Sequence, residues 1–256
     1  MKYIASSKGV VVGEVFECLN SGGDRAAVLL GGNSVSNLYV PDIYHGDEFT
    51  GVGIGNGSFW KGRVTLFGYS GATATGEVDL GSLAALGSSA VPPEQDRIKA
   101  LLSSILTSDT LWAKLSGDTG ISTPAGTLGL PLQGIGVYGE RGLGKLGAVS
   151  LNQLKFRDGF VGLPLTASNF EISLLNPGAD AANVQVFAYK GDGSLLASGS
   201  VSIGGGELWK GPFDSLFDSA LDLSSASHIE IVSDVDLYGF EVIYEESRME
   251  MLPMLK

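Results

Sequence analysis

"VGIGNGSFWKGRVTLFGY", Val52–Tyr69, aligns without a gap with "ISLLNPGADAANVQVFAY", Ile172–Tyr189. The alignment pairs four positions with identical residues in the two stretches: Asn56 with Asn176, Val64 with Val184, Phe67 with Phe187, and Tyr69 with Tyr189. Self-similarity at a fixed separation is the sequence signature of a repeated structural unit. The chain is therefore predicted to contain two copies of one module.

A second repeated element occurs three times along the chain. It reads "GEVFE" from Gly13, "GIGVYGE" from Gly134 and "GFEVIYEE" from Gly239. The first of these belongs to residues 1–37, which look like the end of a repeat without its beginning. We expect these residues to open module one, because unpaired strand edges invite aggregation. Two alternatives are that they end a further module removed by truncation, and that they exchange into module two.

The predicted modules are residues 1–126 and 127–256. The boundary is placed within Gly117–Leu132, because the Thr-Pro-Ala-Gly run in this stretch is the most linker-like segment of the chain. This stretch is also longer than its counterpart in module two.

Alternating apolar residues and frequent Gly, Asn and Asp turns predict strands through most of the chain. The fold class is therefore predicted as all-β: two tandem antiparallel β-sandwich modules related by a pseudo-symmetric internal repeat. One short helix is expected in each module, near residues 93–107 and 212–221, where apolar residues recur at helical spacing. The residues expected to face inward are Val52, Ile54, Val64, Leu66, Val78 and Leu80 in module one, and Ile172, Leu174, Val184, Val186, Val201 and Ile203 in module two.

Composition and charge exclude several classes of protein. A net charge of −12 repels phosphate backbones and anionic lipid surfaces, so nucleic acid and membranes are poor partners. No apolar run is long enough for a membrane span.

The single cysteine, Cys18, is expected to be a small buried apolar residue. Glu14 interrupts the first apolar run, so no secretory signal is predicted, and either a cytoplasmic protein or one with its leader removed fits the sequence.

The stretch "GERGLGKLG", Gly139–Gly147, has the glycine spacing of a nucleotide-binding loop. A phosphate loop needs a helix after its lysine and a Ser or Thr for magnesium. Here Leu146 follows Lys145, and the next residues have the pattern of a strand. We therefore interpret the segment as a hairpin turn and expect no nucleotide to bind.

The run "FEISLLNPGADAANVQVFAYKGDGSLLASGSVSI" from Phe170, followed by "HIEIVSDVDLYGFEVI" from His228, resembles the tandem β-sandwich modules of large secreted or surface proteins of bacteria. The resemblance covers most of residues 38–256 and is best in module two. It implies an extracellular or cell-surface location and a structural or binding role, and it brings no catalytic residues with it.

Three functions are considered in order of preference. The first is a non-catalytic structural or binding module of a bacterial extracellular or surface protein, mediating adhesion or assembly with other protein modules or surface glycans. The second is a carbohydrate-binding module that uses aromatic residues of module one. Its candidate residues lie in two loops that differ from their counterparts in module two. Tyr44 and His45 lie in a longer loop, and Phe59 and Trp60 lie in a turn where module two has "NPGADAA". A hydrolase is third, because no convincing nucleophile–base set or carboxylate pair is found.

No cofactor is expected. Calcium is the metal that the sequence favours most, because secreted sandwiches can hold it between oxygen ligands of acidic loops. The candidate ligands are Asp47, Glu48, Asp234 and Asp236. The alternative is that these acids are solvated turn residues.

Overall fold

The computed structural model describes residues 12–17, 25–30, 35–56, 62–83, 97–140, 145–162, 170–217, 225–244 and 249–255. These residues form eighteen strands, and every strand pair is antiparallel. The strands are β1 (Val12–Glu17), β2 (Arg25–Leu30), β3 (Asn37–Val40), β4 (Glu48–Asn56), β5 (Gly62–Ser70), β6 (Thr73–Leu83), β7 (Arg97–Leu101), β8 (Trp112–Thr123), β9 (Gly126–Gly129), β10 (Leu132–Glu140), β11 (Leu146–Ser150), β12 (Lys155–Gly162), β13 (Phe170–Leu175), β14 (Ala182–Tyr189), β15 (Leu195–Ile203), β16 (Leu208–Pro212), β17 (His228–Tyr244) and β18 (Met249–Pro253). The chain has an all-β fold, as predicted.

The chain divides into two compact units, Met1–Gln153 and Leu154–Lys256. This division lies further along the chain than the predicted boundary between residues 126 and 127. The reason is that the stretch Gly117–Leu132 contains a β-hairpin, in which Thr123 of β8 pairs with Gly126 of β9. Strand β10, which follows this hairpin, then pairs with β4 of the first unit.

The first unit contains two four-strand arrays. One has the order β11-β10-β4-β7, and the other has the order β3-β8-β5-β6 with β9 added beside β8. Strands β1 and β2 form a separate hairpin within the same unit.

The second unit is built around the long strand β17. Its first part, from His228 to Ser233, pairs with β14, and its last part, from Tyr238 to Ile243, pairs with β13. The resulting order is β15-β14-β17-β13-β16, with β12 and β18 also paired to β17.

The order of strand pairing is the same in the two units. The first part of β17 lies between β12 and β14, and in the first unit β8 lies in the same way between β3 and β5. The last part of β17 lies between β13 and β18, and in the first unit β10 lies in the same way between β4 and β11. The register agrees with the sequence repeat, since Gly134 pairs with Ile54 and Gly239 pairs with Leu174. The hairpin made by β8 and β9 therefore interrupts in the first unit a path that is one continuous strand in the second.

Burial follows the predicted alternation of apolar residues. Val52, Ile54, Val64 and Leu66 are buried in the first unit, and Ile172, Leu174, Val184, Val186 and Ile203 are buried in the second, whereas Val78, Leu80 and Val201 are half-buried. In the second unit the buried set belongs to one core that takes residues from β12, β13, β14, β15 and both parts of β17. Burying such side chains contributes about 1.5–3 kcal/mol each.

The two predicted helices are shorter than expected among the described residues. In the first unit the helix α1 is only Leu102–Ile105, and the residues before it, Arg97–Leu101, form β7 against β4. In the second unit Phe213–Leu216 form a 3₁₀ turn. The apolar residues that bury themselves at these turns are Leu102 and Leu106 in the first unit, and Phe213, Leu216 and Phe217 in the second. Residues 84–96 and 218–224 lie outside the described part.

The segment Gly139–Gly147 connects two antiparallel neighbours. Gly139 of β10 pairs with Leu146 of β11, and β11 is a strand rather than a helix. This pairing confirms the hairpin interpretation for the described residues, whereas 141–144 lie outside them. Among the described residues, no helix is long and apolar enough to cross a membrane.

Candidate functional site

The outer face of the second unit, opposite its core, carries a row of side chains that runs straight across four strands. Phe160 of β12 is opposite Glu230 of β17, Glu230 is opposite Phe187 of β14, and Phe187 is opposite Ser198 of β15. Directly opposed residues of antiparallel strands place their side chains on the same face. We call Phe160, Glu230, Phe187 and Ser198 the second-unit row.

A network of polar and aromatic groups borders this row. The Tyr189 hydroxyl donates to Glu230 Oε2 at 2.9 Å, and the Tyr189 ring stacks on His228 with centroids 5.0 Å apart and planes 15° apart. The hydrogen bond to the Glu230 carboxylate is the main reason why the pKa of Tyr189 lies above its usual value. His228 also lies near Phe160, with ring centroids 6.3 Å apart. Glu230 is therefore held in one position between two aromatic side chains.

A shallow groove of about 390 Å³ lies at the Phe160 end of the row. Its lining includes Lys155, Arg157, Asp158 and Asp236. Lys155 Nζ lies 2.7 Å from Asp236 Oδ2 and Arg157 Nε lies 2.6 Å from Asp236 Oδ1. These hydrogen bonds lower the pKa of Asp236. The register of β12 against β17 shifts between Phe156 and Asp158, and such bulges redirect side chains next to functional sites.

A second groove, of about 240 Å³, lies at the other end of the row. It is lined by Gln185, Phe187, Ser198, Gly199 and Ser200. These groove residues are all uncharged, and their amide and hydroxyl groups can both donate and accept hydrogen bonds. One aromatic ring surrounded by uncharged polar groups is thus presented on the sheet surface.

The first unit carries aromatic residues at the corresponding register. Tyr69 of β5 stacks on Trp112 of β8, with ring centroids 4.0 Å apart and planes 8° apart. On the other side of β8, the ring centroid of Tyr39 of β3 lies 6.4 Å from that of Trp112. Trp112 is only 3% exposed, and its Nε1 donates to Gly71 O at 3.1 Å. The Trp112 ring is therefore packed rather than open to a ligand. Cross-strand rings from the same sheet cover this residue.

The row of the first unit differs in charge. Tyr39, Lys114, Phe67 and Glu77 are opposed across four strands in the same way, and we call them the first-unit row. Lys114 occupies the central position that Glu230 has in the second unit, and its Nζ lies 5.8 Å from the Phe67 ring centroid. A cation over an aromatic face is a favourable contact that occupies that face.

Of the sugar-binding residues predicted in module one, the structure describes Tyr44 and His45, and both contact neighbouring groups. Tyr44 is only 3% exposed and packs edge-on against Tyr138, with centroids 5.3 Å apart. His45 Nε2 lies 3.0 Å from Thr110 O, to which it can donate a hydrogen bond. Tyr44 is thus a core residue and has no open ring face for a sugar. Phe59, Trp60 and Cys18 lie outside the described residues.

Two of the four acids proposed as calcium ligands, Asp234 and Asp236, are bonded to neighbouring side chains. Asp234 accepts hydrogen bonds from Asn183 N at 2.9 Å and Asn183 Nδ2 at 2.7 Å, which lower its pKa. Asp236 is held by Lys155 and Arg157, as described above. Asp47 is exposed and Glu48 is half-buried in the first unit. Within the described ranges, no three His, Cys, Asp or Glu residues are grouped closely enough to hold a metal ion.

Ser227 and His228 are neighbours in the chain and lie within hydrogen-bond distance of each other. Ser227 Oγ lies 2.9 Å from His228 Nδ1 and 3.2 Å from Tyr189 O, to which it can also donate. His228 Nδ1 donates or accepts according to the tautomer of the ring. The Ser227 hydroxyl is thus shared between the imidazole and a backbone carbonyl.

The second unit also buries one acid in its interior. Glu241 of β17 is 3% exposed, and it lies opposite Ile172 of β13 and Leu252 of β18. Its Oε2 has no hydrogen-bond partner in the described part of the chain. Burial raises the pKa of this carboxyl from 4.5 to about 7.

Sequence reasoning missed the residues of the second-unit row as a group. Phe187 was noticed only as a repeated aromatic, and Phe160 and Glu230 were not singled out. The signal available was the period-2 alternation, which places each of them on the polar face of its strand. The cross-strand register that brings them together requires the structure.

A comparison of the sequence with models of known protein families and with curated proteins finds no match.

Proposed function

We propose that the chain is a non-catalytic structural and binding module of a bacterial extracellular or surface protein, with a role in adhesion or assembly. The observation that carries this proposal is the ring pair on the outer face of each unit. Tyr69 stacks on Trp112 in one unit, and Tyr189 stacks on His228 at the same register position in the other. Both units thus share one scaffold with a fixed cross-strand ring pair, which is half-buried at the surface in the second unit.

Rigid sheet faces with fixed aromatic side chains are suited to binding. Aromatic rings contribute a large contact area at little cost in conformational entropy, and their polar ends can hydrogen-bond to a partner. Here the cross-strand stacking and the Tyr189–Glu230 bond fix these rings before any partner arrives. Such preorganisation reduces the entropic cost of binding.

The described polar groups do not support catalysis. The carboxylates of Asp234, Asp236 and Glu230 each accept hydrogen bonds from neighbouring side chains, and none lies in a deep cleft. The Ser227 hydroxyl, which lies beside His228, is shared with the backbone carbonyl of Tyr189. The side chains described here thus fit a binding surface better than an active site.

The proposal is tested by adhesion of beads coated with the full chain. Coated beads and beads coated with serum albumin are washed over surfaces that carry either the protein itself or a panel of surface glycans. We expect the coated beads to be retained on at least one of these surfaces, and the soluble protein to release no product from chromogenic ester and glycoside substrates. Absence of retention on both surfaces, or turnover of a substrate, would overturn the proposal.

A further inference from the structure

We propose that the outer face of the second unit binds a linear, uncharged glycan along the row Phe160–Glu230–Phe187–Ser198. This inference rests on the proposed binding function and specifies its ligand and its site. The site differs from the aromatic loops of module one that the sequence suggested.

The two phenylalanines of the row coincide with two grooves on the outer face of the second unit. The two grooves of about 390 Å³ and 240 Å³ each contain one of the two phenylalanines of the row. Phe160 and Phe187 are separated by two strand spacings, which is about 10 Å at ~4.8 Å per strand. Two aromatic contacts at this separation suit an extended chain of sugar rings better than a single small molecule.

The polar groups between and beside the two phenylalanine rings suit the hydroxyls of a sugar. Sugars present C–H faces that pack on aromatic rings and hydroxyls that need both donors and acceptors. Glu230 between the rings is a charged acceptor, whose position is fixed by the Tyr189 hydroxyl. Gln185, Ser198 and Ser200 add donors and acceptors beside Phe187. A few fixed polar groups around an aromatic surface are what specific recognition of an uncharged ligand requires.

The charges along the row disfavour anionic ligands. The row carries the Glu230 carboxylate, and Asp158 and Asp236 line the groove at Phe160. The two cations of that groove, Lys155 and Arg157, already hold Asp236. With a chain net charge of −12, an acidic polysaccharide would be repelled.

The first unit provides a matched control on the same scaffold. Phe67 occupies the register position of Phe187, but Lys114 lies over its ring and Glu77 replaces Ser198. The first-unit row therefore has a covered ring and an additional charge. We expect glycan binding at the second-unit row only.

The test is native affinity electrophoresis of the full chain in gels that contain hydroxyethylcellulose, xylan, galactomannan or, as the anionic comparator, polygalacturonate. We expect retardation by at least one uncharged polysaccharide and none by polygalacturonate. F160A and F187A are each expected to weaken this retardation about tenfold or more, as loss of a central aromatic contact does, whereas F67A leaves it unchanged. Thermal melts verify that all three variants are folded.

Three results would overturn the inference: no retardation by any uncharged polysaccharide, retardation by polygalacturonate alone, or an equal loss in F67A and F187A. Beads that adhere to protein-coated surfaces while the gels show no retardation would reject the glycan site and leave the proposed function intact. An unfolded F187A is replaced by F187L, which keeps an apolar side chain but lacks the ring and is expected to lose retardation as well.

Discussion

Tyr189 stacks on His228 with ring centroids 5.0 Å apart, at the register position where the first unit stacks Tyr69 on Trp112. The tyrosine is the same in both units, but its partner changes from a large indole to an imidazole. The indole is buried and bonded to Gly71 O, whereas the imidazole is half-buried and bonded to Ser227. The first unit thus uses the pair for packing, and the second unit leaves it more open to solvent.

The stack in the first unit is expected to be a main source of its stability. Replacing Trp112 with alanine removes a nearly fully buried indole, its contact with Tyr69 and its bond to Gly71 O, so W112A should lower the free energy of unfolding by about 3–5 kcal/mol. Denaturant titration of the full chain measures this loss. H228A removes a smaller, half-buried ring at the matched position and should cost less than half as much. Equal losses in the two variants would contradict the difference in packing.

Asn176 is expected to be the main polar support of the turn that follows β13. It is fully buried, its Nδ2 donates to Asp180 O at 2.8 Å and Ile203 O at 3.0 Å, and its Oδ1 accepts from Gly178 N at 3.1 Å. N176A leaves these backbone groups without partners and should cost about 2–3 kcal/mol. The control is N183A, which removes only an exposed bond to Asp234 and should cost less than about 1 kcal/mol. An N176A protein as stable as N183A would refute this role.

Glu241 is expected to make stability fall as the pH rises. Its folded-state pKa of about 7 lies above its ordinary value of 4.5, so the folded protein holds this proton more tightly than the unfolded chain. The resulting stability is fully present below pH 4.5 and is lost as the pH rises through 7. Between these limits the loss approaches roughly 3 kcal/mol, at about 1.4 kcal/mol per pKa unit.

The comparison that isolates this effect is E241Q, which cannot ionise and has nearly the same volume. Denaturant titrations of both proteins at about pH 5 and about pH 8 give the pH dependence that belongs to this carboxyl. We expect the free energy of unfolding of E241Q, relative to that of the parent protein, to increase between these two pH values. A difference that stays constant with pH would show that Glu241 ionises as freely in the folded protein as in the unfolded chain.

Calcium is expected to have no effect on the melting temperature of the protein. Asp234 and Asp236 already accept hydrogen bonds from Asn183, Lys155 and Arg157, and releasing them would offset the gain from a metal ion. Melts with millimolar calcium and with chelator should therefore coincide, whereas a saturating ligand would raise the melting temperature by several degrees. A reproducible increase with calcium would return these acids to the metal-site hypothesis.

The strands were predictable from the sequence because alternation and turn residues are local signals. The length of the helices was not predictable. The helical spacing of apolar residues around Leu102 also fits a strand at the edge of a sheet that is followed by one buried helical turn. Pairing of β7 with β4 satisfies backbone groups that a helix would otherwise satisfy, and this tertiary contact decides the outcome. The predicted boundary differs from the division after Gln153 for a related reason, because turn-forming residues such as Gly126 fit a hairpin as well as a linker.

The candidate site was less predictable than the fold. Phe160, Glu230 and Phe187 are far apart in sequence, and only the cross-strand register brings them into one row. A shift of one residue in that register would turn these side chains into the core. Single-residue chemistry instead drew attention to Tyr44, which is buried, and to acids such as Asp236, which is held by Lys155 and Arg157 of a neighbouring strand.

An NMR titration of the full chain, labelled at Phe and His, with linear uncharged oligosaccharides tests whether the second unit binds through its outer face without catalysis. We expect the resonances of Phe160, Phe187 and His228 to shift, those of Phe67 to stay in place, and the oligosaccharide signals to show no cleavage. Shifts at Phe67 without shifts in the second-unit row, no shifts at all, or cleavage of the sugar would rule out binding without catalysis at this row.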